Sequence, residues 1–454
     1  MAEAAPEQRN SNNLQLIGKT LQSGTMQEAR RLLNALHPAE IAHLLESMPH
    51  ARRELVWELV DPEYDGEVLL HLGDEARQSL IRGMDAEELI QAAESLDVDD
   101  LADLIQDLPE TVLQETLEGM DKQRRQRLES VLSYPEDTAG GLMDTDTVTV
   151  RADVTLDVVL RYLRLRGTLP DFTDTLIVVN RYDKYLGLLP LAQLLVNDPD
   201  HTVAEVMTQG AESILATAST REVAKLFEDR DLVSAAVVDD EGLLLGRITI
   251  DDVVDVIREE ADHSVMGRAG LSEDEDIFAP VFLSSRRRAV WLGINLATAF
   301  LASWVIGLFE GTIQKSVALA VLMPIVASMG GIAGSQTLTL IVRGLALEQV
   351  GEGNLRWIFN KEVAVGILNG LLWAIVVALI AIVWFGNYKI GGIIALAMVI
   401  NLFAAALVGV TIPLILRRFG VDPAIAGSVI LTTFTDVIGY ATFLGLATLL
   451  LFTL

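Results

Sequence analysis

The sequence predicts a multidomain membrane protein built in three parts: an all-α superhelical amino-terminal domain, a duplicated α/β domain and a five-helix α transmembrane domain. Charge predicts the division. From Val281 onward the chain holds 10 Lys and Arg against 6 Asp and Glu, whereas everything before it carries a net charge of −33, within an overall −29 over 454 residues. Length of apolar run predicts the membrane part. Residues 289–309, 316–342, 363–388, 390–416 and 423–454 can each cross a hydrocarbon core, which takes about 20 mostly apolar residues. Two internal duplications in the polar part predict the rest.

The polar start, 1–13, is expected to be disordered, and 14–136 to form the acidic helical domain. Short amphipathic units divided by Pro and Gly fill it. The segments 37–49 (HPAEIAHLLESMP) and 97–109 (DVDDLADLIQDLP) match in acidic, aliphatic and Pro positions at an offset of 60, as stacked helical hairpins would. Asp99, Asp103 and Asp107 recur every four residues and share a helix face, where like charges repel. That face is either solvated or half of a divalent-cation site.

The second duplication spans 137–200 and 201–257. In the first copy Gly141-Leu142-Met143 leads to a helical run at 158–165, a strand at 176–179 and Gly187. The second repeats the order with Val206-Met207, a helix at 223–227, strands at 235–238 and 247–250 around Gly246, and a helix from Asp251. This pattern resembles a tandem pair of CBS domains, α/β modules that often sense ligands. Gly246, Thr249 and Asp252 have the G-x-x-T-x-x-D spacing that such modules can use for an adenosine ribose, so Thr249 and Asp252 are candidate nucleotide ligands, with ATP the candidate cofactor. The first copy has Pro190 and Gln193 at those positions.

The helix leaving the second copy is acidic: Asp251, Asp252, Asp255, Glu259, Glu260 and Asp262. Asp252, Asp255 and Glu259 share a face that repels itself unless a cation such as Mg²⁺ or Ca²⁺ intervenes. Residues 258–285 are read as a connecting, plug-like helix and linker containing the acidic run 273–276, and 286–454 as the transmembrane domain.

Within the last span Asp436 is the only charge. An ionised carboxylate near the middle of a membrane helix costs about 2.5 to 3.5 kcal/mol on insertion scales, so its default role is to face an aqueous path and meet a cation there. The alternative is a structural Asp, either protonated or bonded to hydroxyls such as Thr432, Thr433 and Thr435 on the preceding turn. In the second span Pro324, Gly330, Gly331 and Gly334 suit either close helix packing or backbone lining a cavity. Ser335 and Gln336 at the same depth favour the cavity. Basic residues at 286–288, 343, 356, 361, 417 and 418 fall on the side of the soluble domains, against Lys315 and Lys389 opposite, which puts the amino end inside and the carboxyl end outside. No signal peptide precedes the polar start, which agrees.

Taken in order, these features resemble the MgtE family of magnesium transporters over nearly the whole chain. The residues that carry the likeness are Tyr134 to Met143 (YPEDTAGGLM), Met329-Gly330-Gly331, Gly334, Gln336, Val421-Asp422-Pro423-Ala424, and Thr433 with Asp436. The resemblance implies a homodimer in the cell inner membrane with a pore between subunits, closed when cytosolic Mg²⁺ binds the soluble domains and connecting helix. It implies that Asp436 holds hydrated Mg²⁺, with Gly330, Gly331, Thr432 and Thr433 lining the pore and Asp422 at its inner mouth. It implies that Asp99, Asp103, Asp231, Asp252, Asp255 and Glu260 are sensor ligands. The chain departs from the family pattern at Ile332, where Asn is usual, at Val429, where Pro is usual, and at His263-Ser264, where acids are usual.

Other classes fit less well. Transport of Mn²⁺ or Co²⁺ would favour His, Cys or Met ligands, and the spans contain neither His nor Cys. A CBS-regulated anion channel would need basic or amide groups in place of a lone Asp. A CBS-regulated membrane sensor without transport would leave Asp436 without a role. The acidity argues against nucleic acid, which needs a basic footprint. An enzyme is disfavoured by six His without metal-ligand spacing, no Cys and no phosphate-cradling loop.

Overall fold

The structure, a computed structural model, describes residues 26–96, 98–105, 108–267, 269–272, 275–347, 349–351 and 353–452. The segment 1–13, Asp107, Glu273-Asp274 and the side chain of Asp99 lie outside the described residues. The chain forms two compact units, one of residues 1–261 with 274–279 and one of 262–273 with 280–454.

The first unit begins with short helices: α1 (Met26–Leu33), α2 (Pro38–Glu46), α3 (His50–Trp57), α4 (Asp65–Leu70), α5 (Asp74–Ile81), α6 (Ala86–Ser95), α7 (Val98–Ile105), α8 (Glu110–Gly119) and α9 (Lys122–Val131). Their starts are written in the sequence. His37 with Glu40 and Asp85 with Glu88 form reciprocal capping boxes that satisfy the first free backbone N–H groups. Even-numbered helices α2, α4, α6 and α8 pack each on the next, as a superhelix requires. The 60-residue offset survives in the packing: Ile41, Ala42, Leu44 and Leu45 of α2 are buried, and so are Leu101, Ala102, Leu104 and Ile105 of α7.

The two α/β copies follow with one topology. In the first, β1 (Thr149–Arg151) pairs parallel with β2 (Thr175–Val179) across α10 (Leu156–Arg166), and β2 pairs antiparallel with β3 (Tyr185–Pro190). After α11 (Leu191–Val196) and α12 (Val203–Val206), β4 (Thr208–Gln209) closes that sheet in the order β1-β2-β3-β4. The second copy repeats it with β5 (Ile214–Leu215), α13 (Thr220–Arg230), β6 (Ser234–Val238) and β7 (Leu244–Thr249), parallel then antiparallel. The matched glycines allow close approach. A Cβ at Gly187 would lie 2.2 Å from the Thr208 carbonyl oxygen, and one at Gly246 would lie 2.6 Å from that of Asp144 and 3.1 Å from Met143 Sδ. Each glycine therefore seats against the methionine-bearing segment of the other half, Met207-Thr208 or Met143-Asp144. Helix α14 (Ile250–Gly267) then carries the chain onward without a break.

In the second unit, five helices among the described residues are long and apolar enough to cross a membrane: α15 (Val281–Gly307), α17 (Val317–Ala346), α18 (Leu355–Phe385), α19 (Tyr388–Arg418) and α20 (Pro423–Phe452), with short α16 (Glu310–Lys315) after the first. Several start earlier than the apolar runs do, because Arg286 to Arg288 and Arg356 to Glu362 extend the same helices. Helix α19 is the most enclosed and packs on α17, α18 and α20, while α15 is the least. The core at one end joins Leu319, Leu322 and Val326 to Ile393, Ile394 and Ala397 and to Phe443 and Leu444.

The crowding at Gly246 makes a direct test. Replacing Gly246 with Ala is expected to destabilise the α/β pair by about 1 to 3 kcal/mol, the usual cost of overpacking, seen as a lower melting temperature of the detergent-solubilised protein. An exposed control, Gly351→Ala, should change it far less, since nothing lies within 4 Å of that position and its φ is not positive.

Candidate functional site

Asp436 sits mid-way along α20, about 20 Å from the start of the helix at 1.5 Å per residue. It is half-buried. The neighbouring hydroxyls that might have neutralised it are otherwise engaged. Thr432 Oγ1 donates to the Ser428 and Val429 carbonyls (3.0 and 3.1 Å), Thr433 Oγ1 to Val429 (2.7 Å) and Thr435 Oγ1 to Thr432 (3.1 Å). Among the described residues none donates a hydrogen bond to Asp436 or forms an ion pair with it. The three threonine hydroxyls are therefore not bonded to the carboxylate.

Around this carboxylate the polar groups divide into two sets. Thr432 is exposed and Thr433 half-buried on α20, while Ser328, Ile332, Ser335 and Gln336 are exposed along one stripe of α17. The chain's own helices leave that stripe uncovered. The two glycines part company: Gly331 is half-buried, with its Cβ direction 4.0 Å from Thr432 Cγ2, but Gly330 is buried and faces Asn401. Gly334 is buried against Leu431. For Gly330 and Gly334 the packing seam, rather than an exposed lining, is what the structure has, because side chains from α19 and α20 occupy the space beside them.

Two polar residues in the membrane region escaped the sequence reading. Asn401 is fully buried on α19 and donates Nδ2 to the Val326 carbonyl at 2.8 Å. Glu362 on α18 is 5 % exposed; it accepts from Thr337 Oγ1 at 3.2 Å and lies 3.0 Å from Lys361 Nζ. An amide inside an uncharged span was a usable signal for Asn401. Glu362 had none, since it stands next to Lys361 where a span was taken to begin. Asp422 caps α20 by accepting from Ala424 N at 2.7 Å, and its other oxygen lies 2.8 Å from His263 Nε2. At this departure from the family pattern an imidazole therefore meets the carboxylate directly.

The expected sensor residues are brought together in part. Asp252 is pushed up to about 7 by burial and then by Asp251, with Asp100 of α7 adding, while bonds from Thr249 oppose the shift. Asp103 keeps solvent contact yet is crowded by protein, and this dehydration, then Asp100, with Glu136 and Glu259 adding and Arg77 opposing, pushes it up to about 7 as well. The acidic faces of α7 and α14 thus act on each other. Asp255 is exposed and its charge acts on His71. Glu260 is paired with Arg221 at 2.5 Å, and Asp231 is an exposed left-handed cap at the end of α13 (φ 51°). Among the described residues no three His, Asp or Glu side chains converge closely enough to bind a bare metal ion.

Thr249 and Asp252 line a cleft of about 670 Å³. Thr249 Oγ1 bonds to Asp252 (3.1 Å) and to Asp251, so the hydroxyl and carboxylate expected to meet a ribose already meet each other. Arg247 and Arg166 also line it, bound to Asp144 (3.2 Å) and Asp146 (3.0 Å). The residues fit the ribose end of a nucleotide; a triphosphate would have to compete with two carboxylates for the arginines.

Helical and α/β domains joined, among the described residues, to five helices long and apolar enough to cross a membrane define a multi-pass membrane protein. Comparison with known proteins is more particular. Residues 323–446 match the MgtE family, described as a divalent cation transporter, 36–137 match the MgtE intracellular N domain and 203–259 a CBS domain. The magnesium transporter MgtE of Thermus thermophilus is 32% identical over 441 residues, which cover 96% of this chain and 98% of that one. The magnesium transporter MgtE of Bacillus subtilis is 27% identical over 430 residues, 94% and 95% of the two chains. A crystal structure of the cytosolic domain of the Mg²⁺ channel MgtE in complex with ATP is 32% identical and covers 53% of this chain and 98% of its own, with a TM-score of 0.49. The chain belongs to the MgtE family.

The raised carboxyls fix a sign for pH. Asp103 and Asp252 ionise near 7 in the folded protein against an ordinary 3.8, so their protonated forms favour folding fully below about 4, and that contribution is lost as pH rises through 7. Without divalent cations the melting temperature should fall from pH 5 to pH 8. Asp252→Asn should flatten that slope, and millimolar Mg²⁺ should restore stability at pH 8 but not at pH 5. An unchanged slope in the variant would remove Asp252 from the cluster.

Proposed function

We propose that this protein is a magnesium transporter or channel that passes Mg²⁺ down its electrochemical gradient. It works as a homodimer with the pore between subunits, and cytosolic Mg²⁺ on the acidic soluble domains closes it. The observation that carries the reading is Asp436, a membrane carboxylate to which the described residues offer no donor or cation. Mg²⁺ dehydrates reluctantly and is usually held by one or two carboxylates plus retained waters, so one Asp from each of two chains is an apt set. The uncovered stripe of Ser328, Ser335 and Gln336 supports a partner or a wet path on that face of α17. The absence of His and Cys from the spans favours a hard ion over Mn²⁺ or Co²⁺. Basic residues flanking the spans on the amino-terminal side support cytoplasmic soluble domains and an outside carboxyl end.

The gate follows from electrostatics. At low Mg²⁺ the faces of α7 and α14 repel, and bound ions join them; only such a difference in affinity between two states can move an equilibrium. Asp103 and Asp252, with Asp99 and Asp255 beside them on the same helices, are the ligands we assign to this step. Glu260 must exchange Arg221 for an ion before it joins this step, and Asp422, at the inner mouth of the pore, must exchange His263 before it meets one. In the cleft beside Thr249 and Asp252, ATP would be a modulator held at its ribose.

Flux into proteoliposomes tests both halves. Asp436→Ala should lower Mg²⁺ flux by about tenfold or more, the equivalent of about 1.4 kcal/mol of lost cation stabilisation. The same flux in the variant and the wild type would end the pore assignment. The double variant Asp252→Asn, Asp255→Asn should conduct normally and no longer be inhibited by Mg²⁺ on the cytoplasmic side; inhibition that persists unchanged would count against the sensor.

A further inference from the structure

The amide of Asn401 lies clasped between two glycines on two other helices. A Cβ at Gly330 of α17 would stand 2.2 Å from Asn401 Nδ2 and 3.1 Å from Oδ1; one at Gly439 of α20 would stand 2.9 Å from Nδ2 and 3.4 Å from Oδ1. The side chain of α19 therefore passes through the point where α17 and α20 come closest to it. Gly439 is three residues, one helical turn, beyond Asp436, and Gly330 adjoins Gly331 and the exposed stripe. The amide's orientation is fixed, because the Val326 carbonyl at 2.8 Å can only accept and so must face the NH₂ end. Oδ1 is left fully buried with no hydrogen-bond partner among the described residues.

An orphaned acceptor in a dry seam weakens folding, and an apolar side chain of similar volume would avoid that cost. Packing alone does not account for an amide here. What the amide supplies is direction. Its nitrogen is anchored to the α17 backbone one turn before Gly330, and its plane sets the spacing of α20 one turn from the pore carboxylate. Resting on the reading above that Asp436 meets the passing cation, we propose that Asn401 is a positioning residue for cation passage, holding the Asp436 helix at a set distance from the glycine-bearing wall. It touches neither ion nor pore water. It governs how tightly two copies of Asp436 can close on a hydrated ion, and therefore which ion fits.

The test uses the full-length protein in proteoliposomes with Mg²⁺, Ca²⁺ and Mn²⁺ in turn, with Asp436→Ala as reference. Asn401→Leu, which keeps the same branching of heavy atoms with bulkier methyl ends, should melt within a few degrees of the wild type while its Mg²⁺ over Ca²⁺ flux ratio falls about tenfold. An Asn401→Leu protein that melts and discriminates like the wild type overturns the proposal. Should that variant not fold, the pair Gly330→Ala with Asn401→Ala moves bulk from one side of the seam to the other. Lost discrimination in the folded pair supports the amide's role, and wild-type discrimination shows that the side chain only fills space and overturns it. Wild-type protein without Mg²⁺ flux sinks the transport reading and this inference with it; wild-type flux with unaltered variants sinks this inference alone.

Discussion

The membrane half of the molecule depends on the cost of keeping a carboxylate where hydrocarbon would otherwise be. Helices usually meet that cost by bonding the group to neighbours, and α20 has three threonines within one turn of Asp436 that could have served. Each turns its hydroxyl back onto its own backbone instead. Elsewhere in the same bundle the polar groups are handled in the ordinary way: Glu362 is met by Thr337 and Lys361, and the Asn401 nitrogen by the Val326 carbonyl. Asp436 differs: among the described residues none donates a hydrogen bond to its carboxylate or forms an ion pair with it.

The soluble half rests on the opposite arrangement, too many like charges placed close together. Asp100, Asp103, Asp251, Asp252 and Glu259 act on one another across α7 and α14, and this repulsion adds to dehydration by the surrounding protein, the larger cause, in pushing Asp103 and Asp252 up to about 7. Such a cluster is tolerable only while it is partly protonated or supplied with cations. Arg77 offsets part of the repulsion at Asp103, and Arg221 pairs with Glu260 further along α14.

Much of this was legible in the chain. Apolar runs located all five long helices, since length and absence of charge are local properties, and the 60-residue repeat located core positions at Ile41 and Leu101 alike. The paired α/β copies were legible from Gly187 and Gly246, whose need for space is set by strand pairing. What the chain alone could not give was depth and facing. Gly330 and Gly331 are adjacent, yet one packs on Asn401 and the other looks toward Thr432, because successive helix positions differ by about 100°. Likewise, which acids meet a cation and which meet an arginine, as Glu260 does, is decided by long-range packing.

Two bonds made by Asp276 have a mechanical consequence. Arg53, 1% exposed, holds Asp276 at 2.7 Å, and Glu75 accepts from the Asp276 backbone N–H at 3.1 Å, so the strand of chain leading to α15 is moored to α3 and α5. From there to Val281 are five residue steps, at most about 18 Å when fully drawn out. A leash that short has little slack. It ties the start of α15, through the chain itself, to α3 and α5, a covalent route separate from α14 with Arg53 and Glu75 as its mooring.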